Sequence, residues 1–350
     1  MKTILVTGGT GFIGSHTCIP LLERGDNIII LDSLINSSFE TIENIKKIIK
    51  LNKNNQIGTI DFVRGDIRDS SVIDNIFIRA NKSGNKIDAV IHFAGLKSVS
   101  DSIEHPLHYW ENNVLGSINL LKVMHKHKCN CLIFSSSATI YGMDSPEILN
   151  ESCKLNPINP YGQTKLAIEK FLKDLSVSNT SKWRIACLRY FNPIGAHHSG
   201  IIGENHNKKT QNIFPIINQV AIGIKRKLEI FGNNYPTKDG TGIRDYIHVE
   251  DLAEGHIAAL DYISSFEKKI LFANLGTGIG TSVLELIKVF EEVNQCYVPY
   301  SFKEKRKGDL PVVIADNNLS IKILKWRPKK NLRDMCRDGW NWQKKNKKAF

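Results

Sequence analysis

Gly8-Gly9-Thr10-Gly11-Phe12-Ile13-Gly14, set behind the short apolar run Ile4-Leu5-Val6, constrains the fold of this chain more than any other segment. Glycines so placed let a strand turn sharply into a helix and let backbone approach a ligand without a Cβ in the way. The helix start that follows presents free N–H groups and the positive end of a dipole, a site for a pyrophosphate. The spacing is G-x-x-G-x-x-G rather than G-x-G-x-x-G, and a glycine loop alone is weak because surface turns mimic it. Context strengthens it. Asp32 closes the next β-rich run at the distance expected of a ribose-binding acid. A carboxylate there favours the free 2′-hydroxyl of NAD and repels the 2′-phosphate of NADP; without the loop it would be a solvated turn residue.

The first half alternates β-rich runs (Thr3–Thr7, Asn27–Leu31, Ile60–Val63, Ala89–His92, Cys131–Ser135, Arg184–Arg189) with helical stretches. The helices are expected near Ile13–Arg24, Phe39–Leu51, Ser71–Asn81, Pro106–Lys126 and Tyr161–Leu175. This alternation predicts an α/β protein built on a Rossmann-type doubly wound parallel sheet. Beyond Asn192 the rhythm changes to longer polar loops with more Gly and Pro. A dinucleotide-binding domain over 1–190 and a second, smaller α/β substrate domain over 191–350 are expected, with 245–262 packing back on the first.

Tyr161-Gly-Gln-Thr-Lys165 points to the chemistry. A tyrosine and a lysine four apart share one helix face. An ammonium near a phenol favours the phenolate, so a group titrating near pH ~10 becomes a base at neutral pH. Alone, such a pair arises by chance in any lysine-rich chain. Behind a nucleotide-binding loop it suggests removal of an alcohol proton as a hydride leaves for a nicotinamide. Other motifs end predicted strands: Asp66-Ile67, a turn or a cradle for an adenine edge, then His92-Phe93-Ala94-Gly95 and Ser135-Ser136-Ser137. Ligands of open α/β sheets bind outside the carboxyl ends of the strands, so these motifs are predicted to meet in one crevice.

The formal net charge of +12 admits nucleic acid, a membrane surface or phosphorylated small molecules as partners. The excess is scattered over Lys46–Lys53, Lys122–Lys128, Lys225–Lys227, Lys303–Lys307 and Lys322–Lys348, without the interleaved aromatics of a strand-binding groove. A solvated basic surface is expected, with neither nucleic acid nor membrane as partner. No apolar run approaches the ~20 residues of a membrane span, and the one after Lys2 is too short for an export signal. With seven irregularly spaced cysteines, a reducing cytoplasm is expected. His125, His127, Cys129 and Cys131 alternate like ligands on one side of a strand. Lysines intervene and no turn separates the pairs, so no metal site is expected.

With Gly8–Gly14, Ser137, Tyr161 and Lys165 assembled, the chain resembles the extended short-chain dehydrogenase/reductase superfamily and, within it, the UDP-glucose 4-epimerases. Val6-Thr7-Gly8-Gly9, Gly14-Ser15-His16-Thr17, His92-Phe93-Ala94-Gly95-Leu96-Lys97 and Ser135-Ser-Ser-Ala-Thr-Ile-Tyr-Gly142 carry the likeness. Leu188-Arg-Tyr-Phe-Asn-Pro-Ile-Gly-Ala-His197, Phe231-Gly-Asn and Asp239-Gly-Thr-Gly-Ile-Arg-Asp-Tyr-Ile-His-Val249 continue it. Asn274-Leu-Gly276, Gly308-Asp-Leu-Pro311 and Trp340-Asn-Trp342 extend it to nearly the whole chain.

The resemblance implies an isomerase with tightly bound NAD. Tyr161 as phenolate would take the proton of the sugar 4-hydroxyl while C4 gives up its hydride; the 4-keto sugar would turn, and the returning hydride would invert C4. Ser137 would bond the reacting oxygen and help pass the proton, and Lys165 would hold the nicotinamide ribose and lower the Tyr161 pKa, with the cationic ring assisting. NAD contacts are implied for Gly8, Gly11, Phe12, Ile13, Gly14, Asp32, Asn36, Ser37, Asp66, Ile67, Phe93, Ala94, Lys97, Asn112 and Tyr190, besides Tyr161 and Lys165. UDP-sugar contacts are implied for Lys97, Ser137, Asn192, Asn212, Phe231, Arg244, Arg306, Asp309 and Val313. Arginines suit a diphosphate because the guanidinium donates two parallel bonds. A homodimer is implied as well.

One departure bears on specificity. Where some members carry a tyrosine that crowds the sugar 2-position, this chain has Val313, so an N-acetyl group is expected to fit unless neighbouring bulk fills the gap. Sister readings fare worse. A 4,6-dehydratase needs a carboxylate beside the serine, and Ser137-Ala138-Thr139-Ile140 has none. A UDP-uronate 4-epimerase needs a cation for the C6 carboxylate, and none is identifiable. A non-catalytic NAD-binding sensor has no reason to keep Ser137, Tyr161 and Lys165 together.

Overall fold

The computed structural model describes residues 1–51, 57–142, 144–178, 182–204, 212–306 and 308–346. Lys53, Lys307 and Lys348 of the basic stretches lie outside these residues. The main sheet has seven strands, ordered Lys269–Leu275, Arg184–Tyr190, Cys131–Ser137, Ala89–His92, Thr3–Thr7, Asn27–Asp32, Ile60–Arg64. All are parallel. The order reverses between Thr3–Thr7 and Ala89–His92, the switch point at which a doubly wound sheet opens its ligand crevice.

Alternation along each strand builds the two faces. Ile4, Val6, Ile91, Ile133 and Leu188 face one core with Leu21, Ile45 and Leu260 from helices. Leu5, Val90, Leu132 and Ile185 face the other, against Ile73, Leu120 and Leu172. Burial on both sides explains why strands such as Ile28-Ile29-Ile30-Leu31 read as unbroken apolar runs. The predicted fold class is the observed one, and predicted element ends lie within two residues of the observed ends; the fifth strand runs on to Ser137.

After residue 245 the chain returns to this body. Helix Val249–Ser264 buries Leu252, Ala259 and Ile263 in the core that holds Ile4. Asp261 of that helix pairs with Arg24 at 3.0 Å, and Lys269–Leu275 adds the seventh strand. A separate core gathers Phe214, Ile217, Ile230, Tyr246, Leu286, Phe290 and Met335. Around it lie a five-stranded sheet containing Ile243–His248 and Val312–Ala315, and the pair Leu228–Phe231 with Tyr300–Lys303. Lys330 Nζ ties the two regions together, 2.7 Å from Glu250 and 3.5 Å from Asp338. Among the described residues no helix is long and apolar enough to cross a membrane.

The predicted helix Pro106–Lys126 is interrupted. Trp110–Leu115 form a π turn between Pro106–Tyr109 and Gly116–Lys126. The turn buries Asn112 and Asn113, and neither caps a helix. Asn113 instead accepts from Leu96 N–H (2.8 Å) and donates to Leu96 O (3.0 Å) and Thr164 Oγ1 (3.2 Å). That clamp joins the loop after Ala89–His92 to the helix bearing Tyr161, and π turns recur at functional sites for such reasons.

Candidate active site

The glycine loop is shaped by close approach. A Cβ on Gly8, whose φ is +70°, would lie 2.7 Å from Ala94 N, and one on Gly14 would lie 2.3 Å from the Gly8 carbonyl oxygen. Gly11 caps helix Phe12–Glu23 without a side-chain bond, which leaves the first-turn N–H groups for an anion. Asp32 is 7% exposed and accepts from Leu34 N (2.9 Å), Thr10 N (3.1 Å) and Ser37 Oγ (3.1 Å), so its carboxylate is fixed at the loop's edge. Asn36 is exposed on the same turn. A backbone cradle without room for Cβ atoms, beside a fixed acid, fits a dinucleotide with a free 2′-hydroxyl. Asp66 is held by Arg68 at 2.7 Å, which keeps its carboxyl below the usual range, and Ile67 lies against Gly116. Gly14→Ala is expected to cost about 2 kcal/mol by overpacking, read as a lower urea midpoint; an unchanged midpoint would show that the loop yields.

The helix that carries Tyr161 and Lys165, Pro160–Val177, starts where the sequence directs. Asn159 accepts from Gly162 N–H at 2.8 Å, and Pro160 takes the first position, where no N–H is needed. A Cβ on Gly162 would lie 2.6 Å from the Thr139 carbonyl oxygen, so this glycine lets the helix close on the turn after Ser137. Tyr161 thereby hydrogen-bonds the Ser137 side chain. Ser137 Oγ also accepts from Thr139 N (3.2 Å) and Oγ1 (3.0 Å). Lys165 is buried, 4.0 Å from a Cβ built on Gly95, and donates to the Ser135 carbonyl at 2.7 Å. Tyr190 bonds Ser135 Oγ, and both Tyr190 and Phe93 pack on His256. Serine loop, tyrosine, lysine and glycine loop thus meet at one edge of the sheet. Phe12 and Ile13 open the first helix, Phe12 packed on His16 and Ile13 on the core.

Burial dominates the electrostatics of Tyr161 and Lys165. Burial pushes Tyr161 up to about 12, and the Ser137 bond only partly opposes it. The Lys165 ammonium lies 5.8 Å from the phenol ring centre, and its own pKa is lowered by burial to about 8, with Glu169 opposing. Desolvation is the largest influence on both groups.

Glu169, one turn beyond Lys165, is a residue that the sequence reading passed over. Its carboxylate accepts from Ser136 Oγ (2.5 Å) and pairs with Arg189 (2.7 Å), both partners almost fully buried. Arg189 also donates to the Tyr141 hydroxyl at 3.2 Å. Successive serines of Cys131–Ser137 therefore fasten Tyr190, Glu169 and Tyr161 in turn. The four-residue recurrence Tyr161, Lys165, Glu169 was the available signal.

The substrate candidates, Lys97 and Ser137 apart, lie on strands and loops after residue 190. Asn192 begins a short strand beside Tyr246, and Arg244 and Val313 are register partners on adjacent strands. Buried Asp245 sets that junction: it accepts from Thr277 N (2.8 Å), Gly278 N (2.9 Å) and Ala315 N (3.2 Å). The Arg306 guanidinium stacks 3.8 Å from the Phe231 ring centre, and Asp309 N–H donates to the Arg306 carbonyl at 3.2 Å. Phe231 and Arg306 line a cavity of about 510 Å³ with Ile216, Lys225, Arg226, Lys227 and Glu229. Lys97 and Asn212 are drawn together by Glu204, at 2.7 and 3.3 Å; Glu204 was also missed. Away from this site, His127 is bonded to Asp74, and Cys129 and Cys131 are buried.

A doubly wound sheet with a dinucleotide loop at its switch point and Ser137, Tyr161 and Lys165 at the same edge defines an extended short-chain dehydrogenase/reductase. The family model described as GDP-mannose 4,6 dehydratase matches residues 5–339. UDP-glucose 4-epimerase of Bacillus subtilis is 46% identical over 99% of this chain and 98% of its own. The solved structure of UDP-glucose-4-epimerase from Stenotrophomonas maltophila, with bound NAD and formylated UDP-arabinopyranose, superposes with a TM-score of 0.93 at 42% identity over both whole chains. That from Bifidobacterium longum, in complex with NAD+ and UDP, gives 0.91 at 41%, again over both whole chains. The chain belongs to the UDP-glucose 4-epimerase family.

Proposed function

We propose that this protein interconverts UDP-galactose and UDP-glucose. The observation that carries the reading is the Tyr161–Ser137 pair, with buried Lys165 and the dinucleotide cradle at the same sheet edge. Gly8, Gly11, Gly14 and Asp32 would hold NAD, as their fit to a dinucleotide indicates. Bound there, NAD would supply a hydride acceptor and donor for sugar C4 and a positive ring charge. Tyr161 removes and later restores the proton of the 4-oxygen, and Ser137 holds that oxygen by hydrogen bond. Lys165 keeps an ammonium on the helix face of Tyr161. Arg244 and Arg306 grip the diphosphate, Phe231 and Asp309 the nucleoside, and Asn192, Asn212 and Lys97 line the remaining wall. Holding the nucleotide firmly leaves the sugar free to turn between proton removal and return. Purified protein given UDP-galactose and NAD should form UDP-glucose; no product would refute the assignment.

We further propose that the enzyme accepts UDP-GlcNAc and UDP-GalNAc. Val313 is half-buried beside Arg244, against the cluster that holds Phe191 and Tyr141, and is itself too small to crowd a 2-substituent. A relative in Campylobacter jejuni, 34% identical with a TM-score of 0.82, is described as a UDP-Glc/GlcNAc 4-epimerase. Val313→Tyr is expected to lower kcat/KM for UDP-GalNAc at least tenfold and leave UDP-galactose within about threefold, since steric exclusion of one group is worth roughly 1–3 kcal/mol. Equal losses on both sugars would remove Val313 from specificity. A homodimer is part of this proposal: Ile103, Leu107, Trp110 and Leu115 expose apolar side chains along one stretch of helices. So is a cytoplasmic setting, in keeping with seven free thiols.

A further inference from the structure

Tyr235, in the loop after Leu228–Phe231, is 8% exposed, and its phenolic oxygen is buried without a hydrogen-bond partner among the described residues. A buried hydroxyl left unpaired is costly, so such groups call for an explanation. This one is held deliberately in place. Its N–H donates to the Gly240 carbonyl at 2.9 Å, and its carbonyl accepts from Thr237 N–H at 2.8 Å. Gly232, at φ +92°, leaves room for the ring, since a Cβ there would lie 2.5 Å from its edge. Lys305 Nζ sits 4.4 Å from the ring centre and donates to the Asn234 carbonyl at 3.0 Å. Asp309, Arg244 and Arg306 all act electrostatically on the phenol, which burial pushes upward. Those three residues belong to different segments, and all are assigned above to the nucleotide.

We propose that Tyr235 is a nucleoside diphosphate-binding residue, whose O–H donates to a ribose or phosphate oxygen between Arg244, Arg306 and Asp309. The inference rests on the UDP-sugar reading and adds a contact to it. Ligand binding gives the hydroxyl the acceptor that the fold withholds, so affinity for the nucleotide is gained at a cost in the stability of the protein alone.

Tyr235→Phe separates the two effects. Isothermal titration with UDP is expected to show a Kd raised about tenfold, the loss typical of a hydrogen bond to a charged group. KM for UDP-galactose should rise similarly and kcat stay within about twofold. Without nucleotide the variant's Tm should equal or exceed the native value, and the rise in Tm on adding UDP should shrink. A parallel titration with uridine locates the acceptor: a loss there too places it on the ribose, a loss with UDP alone on the diphosphate. Native affinity for UDP in the variant overturns the inference, as does a lower Tm without nucleotide, which would reveal a structural partner. A native protein that fails to bind UDP in the same titration overturns the UDP-sugar reading itself, and Tyr235 with it.

Discussion

Tyr161→Phe is expected to cut turnover of UDP-galactose on the order of a thousandfold while leaving the fold intact. The phenol is the group at the crevice placed to take a proton from the sugar oxygen, and a positioned general base contributes roughly 10²–10⁴-fold. Phenylalanine keeps the ring and its packing on the catalytic helix. It removes one side-chain hydrogen bond, to Ser137, worth about 1 kcal/mol. Burial that raises the phenol to about 12 also means that little structural energy depends on its charge. Rate and stability therefore separate. Initial rates by chromatography of the sugar nucleotides, with Tm on the same sample, check this; a variant within tenfold of native activity would deny Tyr161 its role.

Lys165→Met is expected to lower kcat by at least about a hundredfold and yet to stabilise the protein. The ammonium is 5% exposed, and burial brings its pKa from 10.5 to about 8. A folded pKa below the unfolded one means that the folded state binds the proton less well. The penalty is therefore full below about pH 8 and fades as pH rises toward 10.5. Methionine removes it, on the order of 3 kcal/mol, and gives up the bond to the Ser135 carbonyl, about 1 kcal/mol. A net gain on the order of 2 kcal/mol is expected at pH 7, shrinking at pH 9.5 as the native lysine sheds its proton. Urea midpoints at the two pH values test the sign. A variant less stable than the native protein at pH 7 would show that the ammonium is stabilising where it lies.

What the sequence made legible was what short spacing encodes. Glycines at positions 8, 11 and 14, Asp32 one strand later, and Tyr161 four residues before Lys165 each place their groups through local backbone geometry, and they are found together. Alternating apolar runs likewise specified a parallel sheet, because a strand buried on both faces has no polar side to show. Groups set by tertiary contact were not legible. Glu169 acquires meaning only when Arg184–Tyr190 brings Arg189 beside it, and Glu204 only when Lys97 and Asn212 converge on it. Tyr235 falls between two strings that mark the family, and its burial depends on Gly232 and Lys305. The upward push of burial on the Tyr161 phenol was not legible either, because a charge partner is visible in sequence while desolvation is not. The π turn at Trp110–Leu115 belongs with these, being fixed by Asn113 reaching Leu96 and Thr164.

The central claim is that Tyr161 handles only the proton on the 4-oxygen, while the hydrogen on C4 leaves and returns without meeting water. UDP-galactose deuterated at C4, given to the purified protein in ordinary water without added reductant, tests it directly. Proton NMR of the UDP-glucose formed should show deuterium retained at C4, with no net oxidation or reduction. A product carrying solvent hydrogen at C4 would mean that the carbon itself is deprotonated, and would contradict the account.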